Sequence, residues 1–165
     1  MDETAFRSFY DRTVLALRSY LRMLCRNTAV ADDLLQESYF RFLRAGILGL
    51  NELQMKAYLY RAATSASRDH WRAEKRDRRL QQVTTKENET AWDPNLSHDM
   101  NQLFQKLNPN EQTLLWLAYV EGFQHREIAE ALNLKEKSVR VMLFLARKQL
   151  AGMVTQEGLG PKEKA

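Results

Sequence analysis

At 165 residues, with 44% hydrophobic side chains and a formal net charge of +4, the chain is long enough to bury one core or two small ones. Its 6 Gly and 3 Pro leave few tight turns, which favours helices over a many-stranded sheet. The lone Cys25 excludes an internal disulfide and a thiolate metal site, and no apolar run approaches the ~18 residues of a membrane span.

Apolar residues recur at three- and four-residue steps from Phe6 to Arg26, through Phe9, Tyr10, Val14, Leu17, Leu21 and Leu24, and predict a first helix. Cys25 falls within it and is expected to be a small buried hydrophobe. A second helix is expected over about Ala29–Ala45, with an inward stripe of Leu34, Leu35, Tyr39, Phe42 and Leu43 and a stop at Gly46. Near its start, Asp32 and Gln36, and Asp33 and Glu37, are four apart and form two adjacent rows. Such acidic rows either complement the helix dipole, worth ~0.3–1 kcal/mol each, or form a polar docking surface. Spacing alone does not choose.

Gly46–Glu52 reads as a loop, followed by a long helix over about Leu53–Leu80, apolar in its first half and charged in its second. Residues 1–80 hold 15 of the 25 Lys and Arg but only 10 of the 21 Asp and Glu, so the positive surplus is confined to this part and suggests a polyanion-binding face. Arg68–Arg79 sets six cations against three anions, with Trp71 embedded and Tyr58 and Tyr60 upstream. Rings beside cations suit single-stranded or opened DNA, because bases stack while cations track phosphates. The plainer alternative is a solvated helix end with core aromatics.

Residues 81–97 are polar and aperiodic, closed by Pro94, and read as a flexible linker. A helix near His98–Leu107 follows. Asn108-Pro109-Asn110-Glu111 then carries a cap, a first-position proline and a capping-box carboxylate, opening a helix expected to end at Glu121-Gly122. Two more helices are expected at about His125–Leu132 and Glu136–Leu150, before a disordered tail over 156–165.

A short helix, a tight turn at Asn133-Leu134-Lys135 and a longer helix is the layout of a helix-turn-helix. Ile128, Ala129 and Leu132 would face inward from the first helix, and Val139, Met142, Leu143, Ala146 and Leu150 from the second. The opposite face of the second helix carries Lys137, Arg140, Val141, Phe144 and Lys148, with Arg147 at its edge. Those cations would neutralise phosphates while N-terminal side chains reach base edges. A helical hairpin with a solvated face is the competing reading. No Gly-rich phosphate loop, metal cluster or nucleophile elbow is present, and His70, His98 and His125 stand singly, so no enzyme, metal or cofactor is expected.

These features, in this order, resemble the bacterial sigma factors of the extracytoplasmic-function group. The motifs are Phe6-Arg-Ser-Phe-Tyr, Asp33-Leu-Leu-Gln-Glu, Tyr58-Leu-Tyr-Arg, Asp69-His-Trp-Arg, Leu107-Asn-Pro-Asn-Glu, Glu127-Ile-Ala, Ser138-Val-Arg and Ala146-Arg-Lys-Gln-Leu. The resemblance implies an all-α protein of two small domains, residues 1–80 and 98–155, acting in the cytoplasm with core RNA polymerase and promoter DNA. It implies that Asp32, Asp33, Gln36, Glu37 and Arg41 dock on the polymerase. The loop after Gly46 and the helix through Tyr58, Tyr60, Ser65, Arg68, Trp71, Arg72 and Arg76 would capture and open the −10 element. The −35 element would be read by Arg126, Lys135, Lys137, Ser138, Arg140, Val141, Phe144 and Lys148.

The sequence departs from the family pattern at Tyr58, usually Trp, and Ser65, usually Asn. Val141, Phe144 and Leu145 also put apolar groups where polar or basic ones are commoner. Such a patch is expected to be covered by a partner, such as an inhibitory anti-sigma protein or the first domain. A stand-alone helix-turn-helix regulator, and a sigma-like protein that only sequesters a partner, are the alternatives. The first would not need the acidic rows.

Overall fold

The structure is a computed structural model that describes residues 1–46, 49–80, 98–156 and 158. Among these, every regular element is helical: α1 (Glu3–Cys25), α2 (Thr28–Arg44), α3 (Glu52–Leu80), α4 (His98–Lys106), α5 (Pro109–Leu115), a π-helical turn (Trp116–Val120), α6 (His125–Leu132) and α7 (Glu136–Gln156). They form two compact units, one built mainly on α1–α3 and the other mainly on α4–α7. The expected linker, 81–97, and most of the expected tail lie outside the described residues. No described helix is long and apolar enough to cross a membrane.

The first unit is a three-helix core. Asp2 caps α1 by accepting from the Ala5 backbone at 2.7 Å, and Arg26 closes it in the left-handed region at φ 51°. Asn27 then caps α2, accepting from Val30. At the head of α3, Asn51 and Gln54 exchange side chain–backbone bonds of 2.8 and 3.0 Å, a reciprocal cap that satisfies two otherwise orphaned donors. Phe9 of α1 stacks on Phe42 of α2 at 5.1 Å, and Tyr20 of α1 packs on Tyr60 of α3 at 5.0 Å. Ala57, Ala62, Ala63 and Ala66 give α3 a small-residue face that lets its neighbours approach closely. Each large core side chain contributes about 1.5–3 kcal/mol by burial.

Several buried hydroxyls are satisfied within this core. Thr64 donates to the Tyr60 carbonyl at 2.7 Å, which leaves its oxygen to accept from Tyr20 Oη at 2.8 Å. Ser38 donates to the Leu34 carbonyl. Cys25 is buried as expected, 3.6 Å from Ser67 Oγ, and burial raises its thiol pKa.

In the second unit the expected capping box is present. Glu111 N–H donates to Asn108 Oδ1 at 2.9 Å, and Asn108 N–H to Glu111 Oε2 at 3.1 Å. Gln112, buried at the head of α5, turns its amide back to the Phe104 and Leu107 carbonyls at 3.0 and 2.9 Å, closing the end of α4. Leu103, Leu114, Leu117, Phe123, Ile128, Val139, Leu143 and Ala146 fill the core.

Two expectations need correction, and one open alternative is decided. The helix expected to run unbroken to Glu121 widens at Trp116 into a π-turn, a feature without an apolar periodicity of its own. The last helix continues to Gln156, two turns past Leu150. Asp32 and Asp33 stand beyond the first turn of α2, which has no acidic residue, too far in for dipole complementarity to explain them, since that effect fades within the first turn.

Candidate nucleic-acid and partner interfaces

On α2 the two acidic rows are not equivalent. Asp32 is held by α1: Arg18 Nε donates to Oδ1 at 2.9 Å and Nη2 to Oδ2 at 3.2 Å. Glu37 accepts from Arg41 Nε at 2.7 Å, and Arg41 reaches on to Asp69 of α3. Asp33 and Gln36 are exposed and make no hydrogen bond or ion pair among the described residues. They share an outward stripe of α2 with Phe40, 57% exposed, and Leu43. Leu43 therefore leaves the expected inward stripe.

Beside that stripe runs an open groove of about 630 Å³ between α1 and α2, lined by Phe6, Tyr10, Leu15, Leu35, Tyr39 and Phe40 among others, with Arg18, Asp32 and Gln36 as its polar members. Among the described residues, Leu15, at 74% exposed, is the most accessible large apolar residue. Leu15 and Phe40 were absent from the expected contact set. Both fall off the three- and four-residue apolar period, and that was the available signal.

On α3, burial ends at Ser67. Of the residues expected at the −10 element, Ser65, Arg68, Arg72 and Arg76 are exposed, and Trp71 is 37% exposed. Tyr58 is half-buried with its ring edge-on to Phe42 at 6.2 Å. Tyr60 is fully buried against Tyr20, so it is a core residue and not a surface for bases. The reason is register: Tyr60 lies three and four residues from Ala57 and Thr64, on the helix face that meets α1.

The helix-turn-helix is built as expected. Asn133 adopts the left-handed conformation at φ 55°, and Leu134 N–H donates to the Ala129 carbonyl at 2.9 Å, a six-residue closure that ends α6. Glu127 accepts from the Gln124 backbone to start it. Val139, Leu143 and Ala146 are buried, and Lys137, Ser138, Arg140, Val141, Phe144 and Lys148 are all exposed, as are Arg126 and Lys135. Val141 and Phe144 are each 59% exposed and Leu145 55%. Arg147 Nη1 donates to Tyr119 Oη at 3.0 Å, so the π-turn props the edge of the cationic face. Tyr119 carried no signal, because only the widened turn brings it outward. Among the described residues no group of His, Cys, Asp and Glu is arranged to hold a metal.

Comparison with known proteins bears on both units. Residues 9–77 match the family described as Sigma-70 region 2, and residues 97–150 match Sigma-70, region 4. The chain is 24% identical over 148 residues to the RNA polymerase sigma factor CarQ of Myxococcus xanthus, covering 84% of this chain and 83% of that one. Its fold is similar to the sigma factor RpoE in complex with the anti-sigma factor NepR from Bartonella quintana, with a TM-score of 0.77, 18% identity and coverage of 92% and 97% of the two chains. It is also similar to CnrH in complex with the cytosolic domain of CnrY, with a TM-score of 0.66, 19% identity and coverage of 94% and 90%. With both conserved regions matched in order, the chain belongs to the sigma-70 family as an extracytoplasmic-function sigma factor, which gives RNA polymerase its promoter recognition.

Proposed function

We propose that the two units divide the work of initiation. The first unit, residues 1–80, docks on core polymerase and opens the −10 element, and the second, 98–155, reads the −35 element. Residues 81–97 would be the tether between them. The observation that carries this reading is the segregation of surface on α2 and α3. A stripe of free polar and apolar side chains (Asp33, Gln36, Phe40, Leu43) faces away from the core on α2, and an unburied cationic run follows Ser67 on α3.

Asp33 and Gln36 contact polymerase directly in this reading, with Phe40 and Leu43 supplying apolar contact area. Asp32 supports that surface through its ion pair with Arg18, and Glu37 lies beside it, paired with Arg41. Tyr58, Ser65, Arg68, Trp71, Arg72 and Arg76 hold the opened strand. Arg126, Lys135, Lys137, Ser138, Arg140, Val141 and Lys148 meet the −35 duplex, and Val141 is suited to a thymine methyl. The protein acts by binding, in the cytoplasm, and without covalent chemistry. Contacts and stacking offset the few kcal/mol needed to unpair and extrude a base.

Core polymerase is mixed with the protein and examined for co-elution and promoter-specific transcription. Substituting Asp33→Arg with Gln36→Ala is expected to weaken attachment roughly tenfold or more, as charge reversal in a contact surface does. Undiminished co-elution of that variant would refute the docking assignment. Duplex binding without co-elution of the wild type would instead favour a stand-alone regulator. Co-elution without a transcript would favour a sequestering protein.

An anti-sigma protein is a second partner. The exposed Val141–Phe144–Leu145 patch supports it, as do the two solved relatives, both of which are complexes, one with an anti-sigma factor and the other with the cytosolic domain of CnrY. Phe144→Lys should lower affinity for such a partner, measured by titration. Unchanged affinity would exclude the patch.

A further inference from the structure

Asp69 is a carboxylate in the wrong place. On α3 it shares a surface with Arg61, Ser65, Arg68 and Arg72, which recur at three- and four-residue steps and are exposed. A nucleic-acid strand drawn to those cations would meet one negative charge among them. Among the described residues, Asp69 takes its ion pair from none of the three neighbouring arginines.

The partner comes from another helix. Arg41 of α2 donates from Nη1 to Asp69 Oδ2 at 3.1 Å, lies 3.5 Å from Ser65 Oγ through the same nitrogen, and donates from Nε to Glu37 at 2.7 Å. The Arg41 side chain is 34% exposed, against 54% for Asp69. The bond to Glu37 raises the Arg41 pKa most, and Asp69 adds to it. Arg41 thus turns inward from the outward stripe of α2 and presents its fork to α3.

We infer that Arg41 is a positioning residue for strand capture: it neutralises Asp69 and fixes Ser65, so that the α3 face meets DNA as a continuous positive surface. It is not itself a principal polymerase contact. This rests on the reading of α3 as the −10 surface. The same guanidinium ties the docking helix to the melting helix, so the carboxylate is masked by the element that holds the polymerase.

The test uses the full chain with core polymerase and, as probe, a duplex promoter selected by the wild-type holoenzyme from a random-sequence library. Two quantities are read: affinity for core by fluorescence anisotropy, and opening by permanganate reactivity of unpaired thymines. Arg41→Gln should leave assembly within about twofold and lower opening roughly three- to tenfold, the scale of one unpaired charge near a phosphate at interfacial dielectric. Asp69→Asn alone should open the promoter within about twofold of wild type, although it removes the same ion pair. Arg41→Gln with Asp69→Asn should recover most of the loss, a rescue that neither a purely structural bond nor a lost polymerase contact produces. Thermal melts identify any variant that fails to fold, and Asp69→Asn then decides alone.

The inference is overturned if Arg41→Gln weakens assembly as much as opening, if Asp69→Asn reproduces its defect, or if the double variant shows no recovery. Arg68→Ala with Arg72→Ala separates the two levels. Unchanged opening there would remove the role of the α3 face and the inference with it. A clear defect there, without rescue by Asp69→Asn, would overturn the role of Arg41 alone.

Discussion

Tyr39 and Tyr60 differ from Trp71 in where their rings end, and that decides what each does. Tyr39 shares a 2.7 Å hydrogen bond with Thr13 inside the α1–α2 seam, and burial pushes its pKa up to about 12. The folded state therefore favours the neutral phenol. The stability it contributes is complete below the ordinary tyrosine value near ~10 and is lost as pH rises from there through about 12. Denaturant unfolding across that window should show Tyr39→Phe losing less stability with pH than the wild type. Equal slopes would exclude Tyr39 as the titrating group. Tyr60→Ala should cost about 3–5 kcal/mol, as removal of a buried aromatic does, whereas Trp71→Ala should leave the melting temperature nearly unchanged and reduce promoter opening. If both variants lost stability alike, Tyr60 and Trp71 would not divide into a core and a contact residue.

Helix ends and faces were largely legible in the sequence, and their partners were not. Asn108, Pro109 and Glu111 announced a capping box, and Asn133 announced a turn that a residue tolerant of positive φ must occupy. Replacing Asn133 by Gly should leave unfolding free energy within a few tenths of a kcal/mol, while Ala at φ 55° should lose about 1 kcal/mol. Equal values for the two would mean the side chain, and not the backbone, matters there. Periodicity could not show that Asp32 belongs to Arg18 or Asp69 to Arg41, because those pairings depend on how α1, α2 and α3 pack. Nor could it show the π-turn, since one inserted residue leaves no period. The candidate contacts on α7 were legible because a solvent-facing helix surface is a local property. Those on α2 were legible only as a mixture of free and paired groups.

At the scale of the whole molecule, binding should be strongly electrostatic in two separable parts. Each Lys or Arg that neutralises a phosphate contributes about 0.9 to the slope of log affinity against log salt on duplex DNA. Lys137→Ala with Arg140→Ala should therefore flatten that slope by nearly ~2 for a −35 duplex. The same pair should not alter attachment to polymerase, which belongs to α2 in this reading. An unchanged slope would show that these cations stand clear of the phosphates.

The long third helix has one more consequence. Beyond Ser67 it continues for 13 residues to Leu80, an overhang of roughly 20 Å at 1.5 Å per residue, steadied by its own pairs such as Arg78 with Glu74 at 3.6 Å. With so little apolar support, its amides should exchange with solvent far faster than those around Ala63, and its end should fray and re-form continually. A bound strand would quiet that fraying. Part of the attraction between helix and DNA would then be spent on winding the last turns, so a substitution that stiffens them should tighten capture without adding a contact.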